Sequence, residues 1–157
     1  MTEMSFHDHA LVGAPIETVF AVLSDHTCWS ASEDWESISL ATPGHIEPEG
    51  AGSVWDLCLR NHWVVQHTVN LHFPPTVFGY TQVGDEPAKE HQGVVVLTPN
   101  GSGTDLDWYM TTSPNTSWAD RRDDFHQACA RGVRDLIEVA TREAEHRHAE
   151  HRTGVRA

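Results

Sequence analysis

The hydrophobic period of the sequence changes near residue 118. Between Trp35 and Pro114 apolar and polar residues alternate as in half-buried strands, whereas from about Trp118 to His146 the apolar residues recur at helical spacing. One antiparallel sheet and one long terminal helix have few ways to bury both apolar faces, and a common arrangement leaves a ligand-sized space between them. We therefore expect the functional site between the sheet and the terminal helix.

The length and charge of the chain exclude several classes of protein. Its 157 residues suit one compact domain, and no Pro-rich or Gly/Ser-rich linker divides them. We predict this domain over residues 1–145 and a polar, frayed tail over residues 146–157. Twenty-three acidic residues against ten basic ones give a formal net charge of −13, which excludes nucleic acid as an expected partner.

Hydropathy predicts a cytoplasmic protein. The longest purely apolar run, residues 94–97, is far shorter than the roughly 18 residues that cross a bilayer. The N-terminus also lacks the basic and apolar segments of a secretion signal. We therefore expect no insertion into a membrane. The sequence is compatible with a homodimer but has no feature that requires one.

Metal and disulfide patterns are weak. Three cysteines lack CxxC spacing and indicate neither a disulfide framework nor a zinc site: Cys28, Cys58 and Cys129. Two histidine pairs have the HxH spacing of metal ligands, but the first lacks a third ligand and the second lies in the predicted tail: His7 with His9, and His146 with His148. We expect no metal and no other cofactor.

Turn signals divide the chain into seven strands and three helical segments. Ser5–Val12 is the first strand, Pro15 opens a short helix, and His26–Asp34 forms a second short helical segment. Six more strands are predicted at Trp35–Ala41, Ser53–Arg60, His62–Phe73, Val77–Val83, Lys89–Leu97 and Thr104–Thr112. Their connections are too short for crossover helices, so the sheet is an antiparallel meander. The terminal helix has its start signal at Ser117, with Asp120 three residues later.

Several short motifs keep a recognisable order before the terminal helix. They are Ala14-Pro15, Val19-Phe20, Leu23-Ser24-Asp25, Trp29, Trp35, Gly50, Gly52, Pro74-Pro75, Tyr80, Gly103-Thr104 and Trp108. This order resembles the helix-grip (SRPBCC) superfamily, which includes START lipid-transfer domains, Bet v 1 pollen allergens and bacterial polyketide cyclases. The resemblance covers roughly residues 5–142 and is greatest to the polyketide cyclase/dehydrase branch.

The resemblance implies an α+β domain with a helix-grip fold. In that fold a strongly curved antiparallel sheet of about six or seven strands wraps around the long C-terminal helix, and two short helices follow the first strand. An apolar cavity between sheet and helix binds sterols, lipids, polyketides or plant metabolites. Members are variously carriers, sensors, cyclases and hydrolases, so the fold does not choose among these roles.

Period-two alternation assigns side chains to the cavity face of the sheet. The predicted ligand-binding residues are Trp35, Trp55, Leu57, Trp63, Val69, Phe78, His91, Val95, Trp108 and Met110 from the sheet, with Phe125 and Cys129 from the helix. Flat aromatic faces suit a planar or polycyclic hydrophobic ligand. The alternative is that the aromatic residues only fill the core. For the first and sixth strands, alternation does not decide which face points inward.

His67 and Tyr80 are the predicted catalytic residues. His67 is polar in an otherwise apolar inward row, and Tyr80 faces the same cavity from the next strand. An imidazole beside a phenol can take a proton next to a ketone and return one to oxygen, as aldol cyclisation and dehydration require. The alternative is a buried, neutral, hydrogen-bonded His67 and a packed Tyr80.

Three functions remain open from the sequence. The leading prediction is a cyclase or dehydratase acting on a hydrophobic, aromatic or polyketide-like small molecule. The second is a non-catalytic protein that sequesters, carries or senses such a ligand, for which the aromatic wall suffices. The third is a subunit that binds a partner protein through its surface.

Overall fold

The computed structural model describes residues 2–60, 63–84 and 86–154. Its elements are β1 (Met4–Val12), α1 (Ile16–Ser24), a first 3-10 helix (His26–Ala31), β2 (Trp35–Thr42), β3 (Val54–Leu59), β4 (Val64–Phe73), β5 (Val77–Val83), β6 (Ala88–Asn100), β7 (Gly103–Pro114), a second 3-10 helix (Thr116–Arg121) and α2 (Arg122–Gly154). The strands form one antiparallel, curved sheet in the order β1-β7-β6-β5-β4-β3-β2. The predicted helix-grip fold is confirmed.

The C-terminal helix differs from its prediction at both ends. Residues 116–121 form a 3-10 helix that the Asn115 side chain caps by accepting from the Ser117 backbone N–H at 3.0 Å, so α2 begins at Arg122. At the other end α2 runs to Gly154, so residues 146–154, predicted as a frayed tail, are helical. Residues 155–157 of that tail, and the predicted start of the fourth strand at His62, lie outside the described residues. In the described part of the chain, no helix combines the length and hydropathy that crossing a bilayer requires.

The structure shows which face of β1 and of β6 points inward, which the sequence did not decide. In β1 the inward row ends at the buried Met4 and Val12, while the intervening His7, His9 and Leu11 are exposed. In β6 the inward row is Gly93, Val95 and Leu97, all buried. Alternation alone did not separate these faces, because both faces of β6 carry valines.

A bulge interrupts β6 where it pairs with β7. The register shifts between Lys89 and Gln92, and Glu90 adopts a positive φ of 51°. One extra residue in a strand changes which face the following side chains occupy. As a result Ala88 is buried and His91 lines the interior, while Lys89 and Glu90 stay exposed.

The first 3-10 helix fills one end of the interior. It buries His26 and Trp29, and the Trp29 indole Nε1 donates to the Leu23 carbonyl at 3.2 Å. The His26 ring stacks between Trp29 and Trp55, with centroids 4.2 Å and 4.8 Å away. Together with α1 these rings pack against the middle of the sheet. These rings therefore fill the α1 end of the space between the sheet and α2, and the other end stays open.

Candidate functional site

A cavity of about 380 Å³ lies between that open end of the sheet and α2. This volume is within the range of small-molecule sites. The lining residues are Trp29, Asp34, Trp35, Leu59, Val65, His67, Tyr80, Gln82, Pro87, Ala88, His91, Met110, Trp118, Phe125, Ala128, Cys129, Arg131, Gly132, Val133 and Leu136. The exposed Arg131 and the half-buried Asp34 belong to this lining, so the cavity reaches the surface between α2 and the start of β2.

Three polar rings cluster on the sheet wall of the cavity. The His67 and Tyr80 rings stack with centroids 4.6 Å apart and planes 17° apart. The His91 ring lies 5.8 Å from His67 and 6.2 Å from Tyr80. The strands β4, β5 and β6, which are neighbours in the sheet, each supply one ring. Sequence reasoning predicted all three residues, and the fold brings them together.

Gly93 makes room for the Tyr80 ring. A Cβ at position 93 would lie 2.4 Å from both Cζ and the hydroxyl oxygen of Tyr80, far inside van der Waals contact. The Tyr80 ring is also stacked on His67, and its hydroxyl accepts a hydrogen bond from Trp108 Nε1 at 3.3 Å. The glycine thus lets the phenol lie flat against β6, where it lines the cavity.

We expect Gly93→Ala to lower the free energy of unfolding by about 1–3 kcal/mol, because the added methyl group must displace a ring held on two sides. Urea unfolding followed by fluorescence measures this. Gly132→Ala is the matched control. A Cβ at Gly132 meets nothing within 4 Å, and the residue is helical. The control should be neutral or more stable by up to about 1 kcal/mol. Equal loss in both variants would contradict the close fit at Gly93.

Burial keeps the cavity rings uncharged. It lowers the pKa of His67 well below the ordinary value of 6.5, and the nearby His91 and His26 add to this effect. It also lowers the pKa of His91 to about 4. For the phenol of Tyr80 and the thiol of Cys129 burial acts in the other direction, raising the pKa of both, that of Cys129 to about 12. At neutral pH the inner wall is therefore polar but neutral, which suits an uncharged ligand.

The hydrogen bonds of His67 and Tyr80 leave both groups available. The rings are stacked and make no hydrogen bond to each other, since their planes face one another. His67 Nδ1 is buried without a partner among the described residues. Tyr80 uses its oxygen as an acceptor for Trp108, so its own proton remains free to be donated. The predicted alternative of a hydrogen-bonded His67 is therefore wrong for Nδ1, while its neutral state agrees with that alternative.

Half of the predicted site residues line the cavity: Trp35, His67, Tyr80, His91, Met110, Phe125 and Cys129. Six others face inward as predicted but lie outside the cavity lining: Trp55, Leu57, Val69, Phe78, Val95 and Trp108. All six are fully buried in the main core cluster. The first 3-10 helix and α1 pack over this part of the sheet, with His26 stacked on Trp55 and Trp29 next to Phe78 and Trp108.

Trp63, predicted to bind the ligand from the cavity face of the sheet, lies elsewhere. It precedes β4, which begins at Val64, and its side chain is 46% exposed outside the cavity. The alternation that places Val65 and His67 inward does not extend to a residue outside the strand. Phe73, at the other end of β4, is 60% exposed beyond the register shift between Val69 and Leu71.

Two tryptophans of the cavity come from short helical segments and were not predicted as ligand contacts. Trp29 lies in the first 3-10 helix and Trp118 in the second. Short 3-10 turns lack the long periodic stripe that assigns a buried face. The available signal was the presence of a large indole in a short segment next to the sheet.

The histidine pair on β1 lies on the outer face of the sheet. His7 Nε2 is 2.8 Å from Asp107, and His9 Nε2 is 3.1 Å from Asp105. Each histidine thus has its own carboxylate partner on β7. Within residues 2–60, 63–84 and 86–154, no three His, Cys, Asp or Glu side chains are arranged to hold a metal ion.

The sequence matches the model of a family described as polyketide cyclase/dehydrase and lipid transport over residues 4–143. A comparison with curated proteins finds no match. Solved structures resemble the fold throughout. The Zhui aromatase/cyclase from Streptomyces sp. R1128 has a TM-score of 0.76 and 18% identity, covering 93% of this chain and 96% of that one.

Two other resemblances differ in extent. Ara h 8.0201 has a TM-score of 0.71 and 16% identity, with 91% of this chain and 98% of that one covered. The di-domain ARO/CYC protein StfQ from the steffimycin biosynthetic pathway has a TM-score of 0.73 and 15% identity, and 92% of this chain is covered. This chain spans about half the length of StfQ and of the di-domain protein BexL, 51% and 50%. At these identities the likeness establishes the fold alone.

Proposed function

We propose a function from the family to which this chain belongs, the polyketide cyclase/dehydrase and lipid transport family. In this proposal the protein binds a planar hydrophobic metabolite in its cavity and acts on it as a cyclase or dehydratase. The observation that carries the proposal is the cluster of His67, Tyr80 and His91 on the cavity wall. Family membership confirms the predicted superfamily. The names of the Zhui and StfQ proteins agree with this type of chemistry.

The proposed reaction is an intramolecular aldol condensation. Neutral His67 takes a proton from a carbon next to a ketone, and that carbon forms a bond to a second carbonyl carbon. Tyr80 donates its proton to the oxygen of that second carbonyl, which becomes a hydroxyl. In the dehydration step a neighbouring C–H and the C–O bond break, a C=C bond forms, and water leaves. Tyr80, left as a phenolate by the first step, takes the proton of this C–H bond, and protonated His67 gives its proton to the leaving hydroxyl, so both side chains return to their starting states.

Burial sets the protonation states from which these roles start, and it also makes the imidazole a weaker base and the phenol a weaker acid. The lowered pKa of His67 keeps the imidazole in its free-base form at neutral pH, as a proton acceptor requires. The raised pKa of Tyr80 keeps the phenol protonated, as a proton donor requires. Both shifts come mainly from burial, which also removes the water that would compete for the ketone oxygen.

A second candidate function is binding without catalysis. It is favoured by one observation, which is that Nδ1 of His67 has no described partner to fix its tautomer. Catalytic histidines usually have such a partner on the second nitrogen. In this case the cavity would carry or sequester its ligand, and the three rings would serve as a flat contact surface.

A diketone whose condensation product can be detected by its mass distinguishes catalysis from binding alone. The compound 1-(2-acetylphenyl)propan-2-one closes to 3-methyl-1-naphthol by an aldol step and the loss of one water. We expect the protein to accelerate this loss, measured by mass spectrometry of the extracted mixture. Native mass spectrometry of the same samples detects bound compound. Tightly held, unaltered diketone would favour the carrier and contradict catalysis, and neither binding nor turnover would contradict both functions.

A further inference from the structure

Two indole N–H groups of the cavity lining have no hydrogen-bond partner among the described residues. Trp35 and Trp118 both line the cavity, and the Nε1 atom of each is buried and unpaired. An indole nitrogen only donates, so no other role can satisfy it. Buried donors without an acceptor are rare in folded proteins, and each needs a physical reason.

The core tryptophans behave differently. Each of the three donates its Nε1–H to an internal acceptor: Trp29 to the Leu23 carbonyl at 3.2 Å, Trp55 to the Ser53 hydroxyl at 3.2 Å, and Trp108 to the Tyr80 hydroxyl at 3.3 Å. The fold thus satisfies the indoles that it packs in the core. Trp35 of β2 and Trp118 of the second 3-10 helix are left without an acceptor among the described residues.

The remaining polar groups of the wall increase the need for acceptors. Tyr80 accepts from Trp108 and retains a free proton. Gln82 has used its amide nitrogen on the carbonyls of Gly84 and Ala88, at 3.2 Å and 2.7 Å. His67 Nδ1 is also unpaired, and it donates or accepts according to its tautomer. The unmet hydrogen bonds of Trp35, Trp118 and Tyr80 are donors, and they require oxygen acceptors from a bound molecule.

The Trp118 ring is held in place by two neighbouring side chains. It packs on Phe125 of α2 with centroids 5.4 Å apart, and the guanidinium of Arg121 lies 5.2 Å from its centroid on the outer side. A donor fixed by neighbours on two sides loses little freedom when it binds an acceptor. Trp35 packs against the main core cluster at the first residue of β2.

Building on the proposed function, we infer that Trp35 and Trp118 determine ligand specificity by donating hydrogen bonds to oxygens at the edge of a planar ligand. The cavity then prefers a carbonyl-bearing or hydroxyl-bearing ring system over the bare hydrocarbon of the same shape. Discrimination arises because the hydrocarbon leaves both indole donors unpaired, whereas the oxygenated ligand pairs them.

The test compares 9,10-anthraquinone with anthracene, added from the same co-solvent; both are uncharged, as the neutral wall requires, and they share their shape and differ in two carbonyl oxygens. Dissociation constants are measured by isothermal titration calorimetry. We expect the wild-type protein to prefer the quinone by about tenfold, equivalent to about 1.4 kcal/mol. Trp118→Phe and Trp35→Phe keep a flat ring without the N–H, and each should remove about threefold or more of this preference while affinity for the anthracene changes little.

Trp63→Phe is the matched control. Trp63 is 46% exposed and lies outside the cavity lining, so this substitution should leave the ligand preference unchanged. Equal wild-type affinity for the two ligands, or full preference in both phenylalanine variants, would overturn the specificity inference and leave cavity binding intact. Failure of both compounds to bind would instead overturn the proposed function itself. Circular dichroism of each variant checks that it folds.

Discussion

The free energy of unfolding should fall steeply as the pH drops below about 6.5. Three histidines are held neutral inside the protein: His26, His67 and His91. Burial lowers the pKa of His26 to about 3 and that of His91 to about 4, and it lowers the pKa of His67 well below the ordinary value. For His26 a backbone group of Ser24 opposes the shift, but neither ring nitrogen has a hydrogen bond of normal geometry.

The direction follows from the protons bound in each state. Below pH 6.5 the unfolded chain protonates these histidines, whereas the folded protein does not until the pH approaches its lower pKa values. Their contribution to stability is therefore complete above pH 6.5 and is lost as the pH falls. Each histidine contributes a slope of about 1.4 kcal/mol per pH unit. Between pH 6.5 and pH 5 His26 and His91 together should remove about 3 kcal/mol, a large part of the stability of many domains, and His67 adds to this loss.

Urea unfolding at pH 7.5, 6.0 and 5.0 measures this loss. His26→Phe is the most informative variant, because a phenyl ring can keep the stacking on Trp29 and Trp55 but binds no proton. We expect it to stay within about 1.5 kcal/mol of the wild type at pH 7.5 and to lose about one third less stability on acidification. A stability independent of pH between 7.5 and 5.0 would show that these rings have access to water.

The alternation of apolar residues predicted the sheet faces well within the strands. Because side chains alternate strictly in an extended strand, Trp55, His67 and Tyr80 were assigned to the inner face, and all three are buried there. The rule failed at Trp63, which lies just before its strand. Faces are therefore predictable from the sequence only between strand ends, and those ends depend on pairing that the local sequence does not determine.

The filling of the interior was not predictable from the strands. Their inner faces indicated one continuous aromatic wall, but the first 3-10 helix and α1 cover part of it, with His26 stacked on Trp55. Which way a short helical turn rotates depends on what it packs against, so its own six residues carry little information. The position of the cavity along the sheet therefore required the structure.

The polar C-terminal end of α2 is more ordered than its sequence predicted. Residues 146–154 lack an apolar stripe, and their polarity predicted fraying. In the structure they continue the helix, and pairs one turn apart accompany it: Glu143 with Arg147 at 2.7 Å and His146 with Glu150 at 3.4 Å. A helix already nucleated by packing extends at low cost, and such pairs add a few tenths of a kcal/mol each.

Replacing His67 with glutamine should lower turnover of the diketone by at least about 100-fold, the usual contribution of a positioned proton acceptor. Glutamine keeps a polar group of similar size but cannot take the proton. Ligand affinity should stay within about tenfold, or about 1.4 kcal/mol, because the aromatic contacts remain. His67→Ala should have the same effect on turnover. Steady-state kinetics combined with calorimetry separates the two quantities.

His91→Gln is the control for His67→Gln, since it changes the half-buried histidine of the same cluster, to which no proton transfer is assigned. Its turnover should stay within about tenfold of the wild type. Unchanged turnover in His67→Gln would remove His67 from the mechanism, and an equal loss in both variants would indicate a general disturbance of the cavity.

The pH dependence of turnover provides an independent check on His67. Because the pKa of this ring is held well below 6.5, the free base is present across the whole range in which the protein is most stable. We expect turnover to be nearly constant from pH 6.5 to 8.5. A decline in turnover centred near pH 6.5 would instead indicate a hydrated imidazole with an ordinary pKa as the reacting base. His67 is buried, so that result would contradict its role as the proton acceptor. A flat profile together with loss of turnover in His67→Gln therefore assigns the proton acceptor to the buried ring.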